Sequence, residues 1–239
     1  MSDSTYCISL DDVMEAAERI EGVAHRTPVL TSSSFDSNDR HVFFKVEAMQ
    51  RTGSFKFRGA LNAVKAHVAN TASPSLHVVT HSSGNHAAAL SLAAKMASTE
   101  ETSVTATIVM PHNAPDIKKA AVEGFGGNIV SVDNTNEARE SEADRIVEET
   151  GAVFVHPSED PLVIAGQGTI SLELVAQVKV LGYDLDAVII PVGGGGLASG
   201  NTIALRGLLG DKVKVRNFFS CPKRGMSSYN LRLTSSLAI

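Results

Sequence analysis

The chain has 239 residues, of which 43% are hydrophobic and 20% charged, and its formal net charge is −5. This composition is typical of a globular protein that buries a core as one large domain or two small ones, and it excludes a largely disordered chain. The acidic balance offers no basic surface for nucleic acid, and two cysteines are too few for a disulfide scaffold. Because no secretory signal and no membrane-spanning run is found, we expect a cytoplasmic protein without nucleic-acid or membrane partners.

The first quarter of the chain predicts a helix, a short strand and a second helix. Ser9 is a good N-cap, and apolar residues at helical spacing follow it as far as Ile20, just before Gly22. A run rich in valine and phenylalanine over residues 42–46 indicates a strand. Helical spacing of apolar residues resumes at Ala60.

From residue 76 onwards, strands and helices alternate regularly. The predicted strands cover residues 76–80, 104–110, 128–132, 153–156, 186–192 and 212–215. The predicted helices cover residues 85–96, 115–125, 136–150, 167–180 and 197–209. This alternation is typical of an α/β protein whose parallel sheets are covered by helices.

The last segment, residues 216–239, departs from this pattern. It contains four basic residues, no acidic residue and five serines. Its apolar residues follow neither the period of a strand nor that of a helix. We therefore interpret it as a basic tail that follows the α/β region.

Lys56 stands between two aromatic residues, Phe55 and Phe57, in a stretch bounded by Gly53 and Gly59. Apolar neighbours that desolvate a lysine lower the pKa of its ammonium group, and the neutral amine is a nucleophile towards aldehydes. A nearby cation, Arg58, would act in the same direction. A second interpretation is a solvated lysine at the start of a helix, and this stretch alone does not decide between the two.

A second candidate stretch, residues 81–86, directly follows the strand predicted at 76–80 and leads into a helix. Open α/β sheets bind ligands at the carboxyl ends of their strands. The backbone N–H groups at a helix N-terminus suit a carboxylate, and Ser82, Ser83 and Asn85 add polar side chains. The same residues are also good helix caps, so both interpretations stay open here.

Four consecutive glycines, Gly193, Gly194, Gly195 and Gly196, connect an apolar strand to a helix. Ordering four glycines is costly, and a close approach of the backbone to an anion such as phosphate explains that cost better than a flexible turn. No Lys-Ser/Thr pair follows, so this is not a Walker A motif. A phosphate-binding loop, a shielded lysine and a carboxylate-binding loop together suggest pyridoxal phosphate acting on an amino acid.

Five motifs then identify a family. They are RTPVL at 26–30, SFKFRGA at 54–60, SSGNH at 82–86, GQGT at 166–169 and GGGG at 193–196. In this order and spacing the chain resembles the fold-type II pyridoxal-phosphate enzymes, within their branch of serine/threonine dehydratases and racemases. The resemblance implies an α/β fold like that of the tryptophan synthase β chain, with a large domain and a smaller inserted domain.

The resemblance also implies a reaction and its catalytic residues. Lys56 would form the Schiff base and act as the base on one face of Cα, and Ser83 would be the acid on the opposite face. Two opposed proton donors are what racemisation of serine requires, and loss of the β-hydroxyl from serine or threonine would be a side reaction. The alternatives are a dedicated threonine/serine dehydratase, or a catalytically inactive form that binds a partner or a cofactor.

The same resemblance implies the binding residues. Asn85 would bond the phenolic oxygen of the cofactor, Phe55 would lie against its ring, and the four glycines would hold its phosphate. The implied cofactor-binding residues are Phe55, Lys56, Asn85, Gly193, Gly194, Gly195 and Gly196. The residues implied to take the substrate carboxylate are Ser82, Asn85 and His86.

The resemblance further implies a domain division. Residues 1–77 and 156–215 would form the large cofactor-binding domain, residues 78–155 the small domain, and residues 216–239 an unmatched basic tail. Because relatives continue beyond the last predicted strand, we expect a C-terminally truncated form. Relatives are commonly dimers with Mg²⁺ and ATP as effectors, but we find no metal ligands in this chain, and a homodimer is expected.

Overall fold

The computed structural model of the chain describes residues 6–219. Its helices are α1 (Leu10–Ile20), α2 (Lys56–Asn70), α3 (Asn85–Ala97), α4 (Asp116–Gly124), α5 (Asn136–Thr150), α6 (Pro161–Val180) and α7 (Gly196–Leu209). Its strands are β1 (Val29–Thr31), β2 (Phe43–Lys45), β3 (Ser75–His81), β4 (Ser103–Pro111), β5 (Asn128–Val132), β6 (Val153–Phe154), β7 (Ala187–Val192) and β8 (Lys214–Phe219). The predicted alternation of strands and helices is confirmed.

Strands β3 to β6 form one four-stranded sheet in the order β5-β4-β3-β6, and every neighbouring pair is parallel. Adjacent residues of β3 serve opposite faces, because Val78 packs in the core with α3 whereas Val79 packs with the Ala143 and Ile146 side chains of α5. The prediction of a parallel sheet covered on both faces is therefore confirmed. Nearly all of this sheet comes from the segment predicted as the small domain.

Strands β7 and β8 form a separate parallel pair, in which Ala187 is opposite Lys214 and Val192 is opposite Phe219. The predicted end of the last strand at residue 215 is wrong, because β8 continues to Phe219. The start of the predicted tail therefore belongs to a strand. The rest of that tail, from residue 220 onwards, lies outside the described residues.

Strand β2 has an antiparallel partner that the sequence pattern does not predict. Leu30 of β1 is opposite Phe44 of β2 in a two-stranded hairpin. The strand β1 has only three residues, which is too short for its alternation to be read from the sequence.

Helix α6 begins at Pro161, six residues before the predicted start at Gln167. The Asp160 carboxylate accepts a hydrogen bond from the N–H of Leu162 at 2.8 Å, and Pro161 occupies the first turn. Within the part of the chain that the structure describes, α6 is one helix of the length and apolarity needed to cross a membrane, but most of that apolar window is buried inside the protein. It packs against α1, α2 and α7 as a core helix.

Candidate cofactor-binding and catalytic site

Lys56 is the first residue of α2 and follows a loop with an unusual backbone. Thr52 and Gly53 both have left-handed φ angles, of 63° and 72°. A β-branched residue such as threonine rarely adopts that conformation, so its surroundings must hold the loop in place. The carbonyl oxygen of Gln50 accepts a hydrogen bond from the N–H of Gly53 at 2.9 Å. Gly53 thus has the conformational freedom for which a glycine was expected.

The Lys56 amine is half-buried and makes one hydrogen bond across the molecule. Its Nζ donates to the carbonyl oxygen of Pro157 at 2.7 Å and lies 5.2 Å from the centroid of the Phe55 ring. Burial lowers the pKa of the Lys56 amine below the ordinary lysine value. The amine is therefore more often neutral, and thus nucleophilic, than a solvated lysine at the same pH.

Two neighbours of Lys56 differ from the sequence prediction. Phe57 is fully buried in the main hydrophobic core, so it does not flank the Lys56 stem. Arg58 is fully buried as well, and the carboxylates of Glu47 and Glu173 pair with its guanidinium. Because these two anions compensate its charge, Arg58 is not a cause of the lowered pKa of Lys56, which follows from burial.

The stretch 82–86 forms the turn from β3 into α3, as predicted. The Ser82 hydroxyl accepts a hydrogen bond from the N–H of Gly84 at 3.3 Å, and Gly84 is the N-cap of α3. No side chain caps this helix, so its first N–H groups are available to an anion. Ser83 is half-buried and Asn85 is exposed.

His86 lies deeper than the rest of this turn, with only 2% of its surface exposed. Its Nε2 donates to the carbonyl oxygen of Val155 at 3.3 Å, and its Nδ1 has no partner among the described residues. Burial, together with the nearby Lys56 charge, lowers the pKa of His86 to about 3. The imidazole is therefore neutral at physiological pH.

The four-glycine loop joins β7 to α7 and lies against Ser158. A Cβ on Gly194 would stand 2.6 Å from the Ser158 hydroxyl oxygen, so a side chain cannot be added there without movement. Gly195 is the N-cap of α7 with a φ of +94°, a conformation that favours glycine. No side chain caps α7, which leaves its N-terminal N–H groups available to an anion.

One short segment after β6, residues 155–158, touches all three predicted stretches. The carbonyl oxygen of Val155 accepts from His86, that of Pro157 accepts from Lys56, and Ser158 contacts the glycine loop. His156 shapes this segment, because its Nδ1 accepts the N–H of Ser158 at 3.2 Å. Sequence reasoning missed Pro157 and Ser158, and the only signal for them is their position directly after a parallel strand.

The chain matches the model of a protein family described as "Pyridoxal-phosphate dependent enzyme" over residues 20–232. Serine racemase from Homo sapiens is 44% identical over 97% of this chain and 65% of the human protein. Serine racemase from Arabidopsis thaliana is also 44% identical, over 91% of this chain and 62% of the plant protein. The match thus extends well into the segment expected to be unmatched.

Solved structures agree with the sequence comparison. Maize serine racemase superposes with a TM-score of 0.80 at 42% identity, covering 89% of this chain and 61% of the maize chain. A threonine deaminase, from the organism abbreviated T.th., superposes with a TM-score of 0.78 at 40% identity, covering 89% of this chain and 65% of that one. This chain therefore spans somewhat less than two thirds of the length of these relatives. It belongs to the family of pyridoxal-phosphate dependent enzymes, with the fold shared by serine racemases and threonine deaminases.

Proposed function

We propose that this chain binds pyridoxal phosphate and racemises serine, with dehydration of serine and threonine as a side activity. One observation carries the proposal. The partly desolvated amine of Lys56 and the glycine loop 193–196 meet on the same two residues, Pro157 and Ser158. A nucleophilic amine beside an uncapped helix N-terminus suits a ligand that has both an aldehyde and a phosphate.

The donor groups of this site fit that cofactor. Gly193 and Gly195 have no atom within 4 Å of a Cβ position, so an anion could approach the backbone there. Gly194 and Gly196 leave no room for a side chain, which keeps the loop close to Ser158. We assign phosphate binding to these four glycines, the covalent bond to Lys56, a ring contact to Phe55 and a bond to the phenolic oxygen to Asn85.

Bound pyridoxal phosphate supplies an electron sink for negative charge at the Cα of an amino acid. The Lys56 amine would remove or return the Cα proton from its side of the substrate, which requires the neutral form that burial favours. The Ser83 hydroxyl would hold the proton on the other side. Racemisation needs both groups, whereas removal of the β-hydroxyl needs a base on one side only.

The turn at 82–86 would take the substrate carboxylate. Its supporting features are the half-buried Ser82 hydroxyl, the exposed Asn85 side chain and the uncapped N-terminus of α3. His86 would take part through its backbone N–H, because its ring is buried and donates to Val155. This assignment refines the expected contact with the His86 side chain.

A dedicated threonine/serine dehydratase is the second candidate. The 40% identity to a threonine deaminase structure supports it, since both reactions begin with proton removal by the same lysine. The presence of Ser83 favours the racemase, because only racemisation needs a proton donor on the opposite face.

The test uses the purified full chain titrated with pyridoxal phosphate. We expect a visible absorption band of the bound cofactor that Lys56→Ala abolishes and that Lys118→Ala, which removes an exposed lysine on α4, retains. Chiral analysis of serine and an assay for the keto acid then separate the two reactions. If no band forms in the unmodified chain, the proposed function is wrong.

Ser83→Ala tests the assignment of the second face. We expect the band to remain and D-serine formation to fall by about 10²-fold or more, the usual contribution of a positioned acid or base. Equal racemisation by this variant would contradict the role of Ser83. Keto acid without D-serine in the unmodified chain would favour the dehydratase.

The remaining expectations form part of the same proposal. They are a homodimer, a cytoplasmic location, serine and threonine as substrates, and Mg²⁺ and ATP as effectors. The metal ligands expected from the family would follow β8, in a segment that lies almost entirely outside the described residues.

A further inference from the structure

Arg58 stands at the centre of a buried ion network. Its Nε and Nη2 donate to the two oxygens of Glu47 at 2.8 and 2.9 Å, and its Nη1 and Nη2 donate to the two oxygens of Glu173 at 2.7 and 3.0 Å. Lys45 donates to Glu173 at 2.5 Å. We call these four residues the Arg58 network, in which two cations face two anions.

The Arg58 network joins three separate parts of the chain to the first turn of α2. Lys45 lies in β2, Glu47 in the short 3-10 turn that follows it, and Glu173 on α6. Two-pronged pairing of a planar guanidinium with two carboxylates fixes its orientation as well as its position. The network therefore restrains rotation of α2 about its axis at this end.

The motif at 166–169 completes this contact. A Cβ on Gly59 would stand 2.5 Å from the carbonyl oxygen of Val163, and a Cβ on Gly166 would stand 2.6 Å from the Cα of Gly59. The backbones of α2 and α6 therefore touch, which brings the Thr169 hydroxyl within 3.3 Å of the Arg58 Nη1. These contacts give the motif a role in holding α2, which the sequence alone did not assign.

A purely stabilising role explains this network poorly. Removing ionised groups from water is costly, and buried ion pairs are often no more stabilising than apolar residues of the same shape. Arg58 is 0% exposed and lies two residues after Lys56, about 200° further around the helix. A rotation of the first turn would move both side chains together, in opposite directions.

We propose that the Arg58 network is a positioning device for Lys56, which sets the direction in which the Lys56 amine leaves the helix. The inference rests on the proposed role of Lys56 as the residue that bonds the cofactor. A displacement of about 1 Å in a reacting group can cost on the order of 10²-fold in rate. A rigid restraint on the opposite side of the helix turn prevents such a displacement.

Two substitutions test this proposal by different means. Glu173→Gln keeps the shape of the side chain but removes its charge, and Arg58→Lys keeps the charge but loses the planar pairing. Glu149→Gln is the matched control, because it removes one carboxylate from an exposed ion pair with Arg145 on α5. The cofactor-free proteins are labelled with an amine reagent over a range of pH, and labelling of Lys56 is followed by peptide mass spectrometry.

We expect the midpoint of Lys56 labelling to move towards the ordinary lysine value in both network variants, because a misdirected amine is better hydrated. Affinity for pyridoxal phosphate should fall about tenfold or more in the same variants. The control should match the unmodified chain in both measurements. Unfolding is followed in parallel, so that every comparison is made on folded protein.

Thr169→Val is a milder variant, since it removes one uncharged acceptor from Arg58. It should move the same midpoint in the same direction by a smaller amount. An unchanged Lys56 midpoint in all the network variants that fold would overturn the inference and leave the network a structural role only. Because labelling is measured without cofactor, it decides this point even if the unmodified chain fails to bind pyridoxal phosphate.

Discussion

The carbonyl oxygen of Ser158 lies 2.8 Å from the place where a Cβ on Gly196 would stand. Ser158 also limits Gly194, but there the nearest atoms are its own side-chain oxygen and Cβ, at 2.6 and 2.9 Å. One residue thus excludes side chains from two glycines by different means, with its backbone at one and its side chain at the other.

This difference predicts which damage can be repaired. Gly194→Ala and Gly196→Ala should each weaken pyridoxal phosphate binding by about tenfold or more, since overpacking displaces the loop at a cost of about 1–3 kcal/mol. Adding Ser158→Gly should restore most of the affinity to Gly194→Ala, because it removes the obstructing atoms, and little to Gly196→Ala. Titration with the cofactor, followed by its visible band, measures all four proteins and the single Ser158→Gly control. Equal rescue of both alanine variants would contradict this packing.

The buried neutral ring of His86 predicts a loss of stability in acid. Its pKa of about 3 in the folded chain lies below the ordinary value of 6.5, so the unfolded chain binds a proton more readily between these two values. The free energy of unfolding therefore falls as pH decreases from 6.5 towards 3, and the contribution of His86 is complete above 6.5. Between pH 6.5 and 5 this single group should cost about 1.5 kcal/mol.

His86→Gln removes the titration while keeping an N–H that can donate to Val155. Urea unfolding of both proteins at several pH values should give a shallower decline for the variant across this window. If the two curves ran parallel, His86 would not be a buried neutral group.

The contact of α6 with α7 predicts opposite effects for two glycine substitutions. A Cβ on Gly200 would collide with the carbonyl oxygen of Ile164 and stand 2.8 Å from the backbone nitrogen of Gly168, so Gly200→Ala should destabilise the fold by about 1–3 kcal/mol. Gly124 on α4 has nothing within 4 Å of its Cβ position, and Gly124→Ala should be neutral or stabilising by up to about 1 kcal/mol. Thermal unfolding midpoints compare the two, and a stable Gly200→Ala protein would show that the helices can separate.

The regular part of the fold could be predicted from local pattern. Helix α5 has the predicted bounds, Asn136–Thr150, because Thr135 caps its start and Gly151 its end. The sequence pattern starts helix α6 six residues too late, because two glycines within a helix look like a break until their packing against other helices is known. A strand as short as β1 is defined by its partner and has no signal of its own.

The sequence by itself determined the α/β class, the family and the three stretches that carry Lys56, Ser83 and the four glycines, because each depends on residue types at short spacing. Only the tertiary structure decided that residues 155–158 connect these stretches and that Arg58 faces Glu47 and Glu173 rather than Lys56. The physical reason is that these contacts join residues far apart in the chain. Their geometry depends on how α2, α6 and the sheet pack together, which no local pattern specifies.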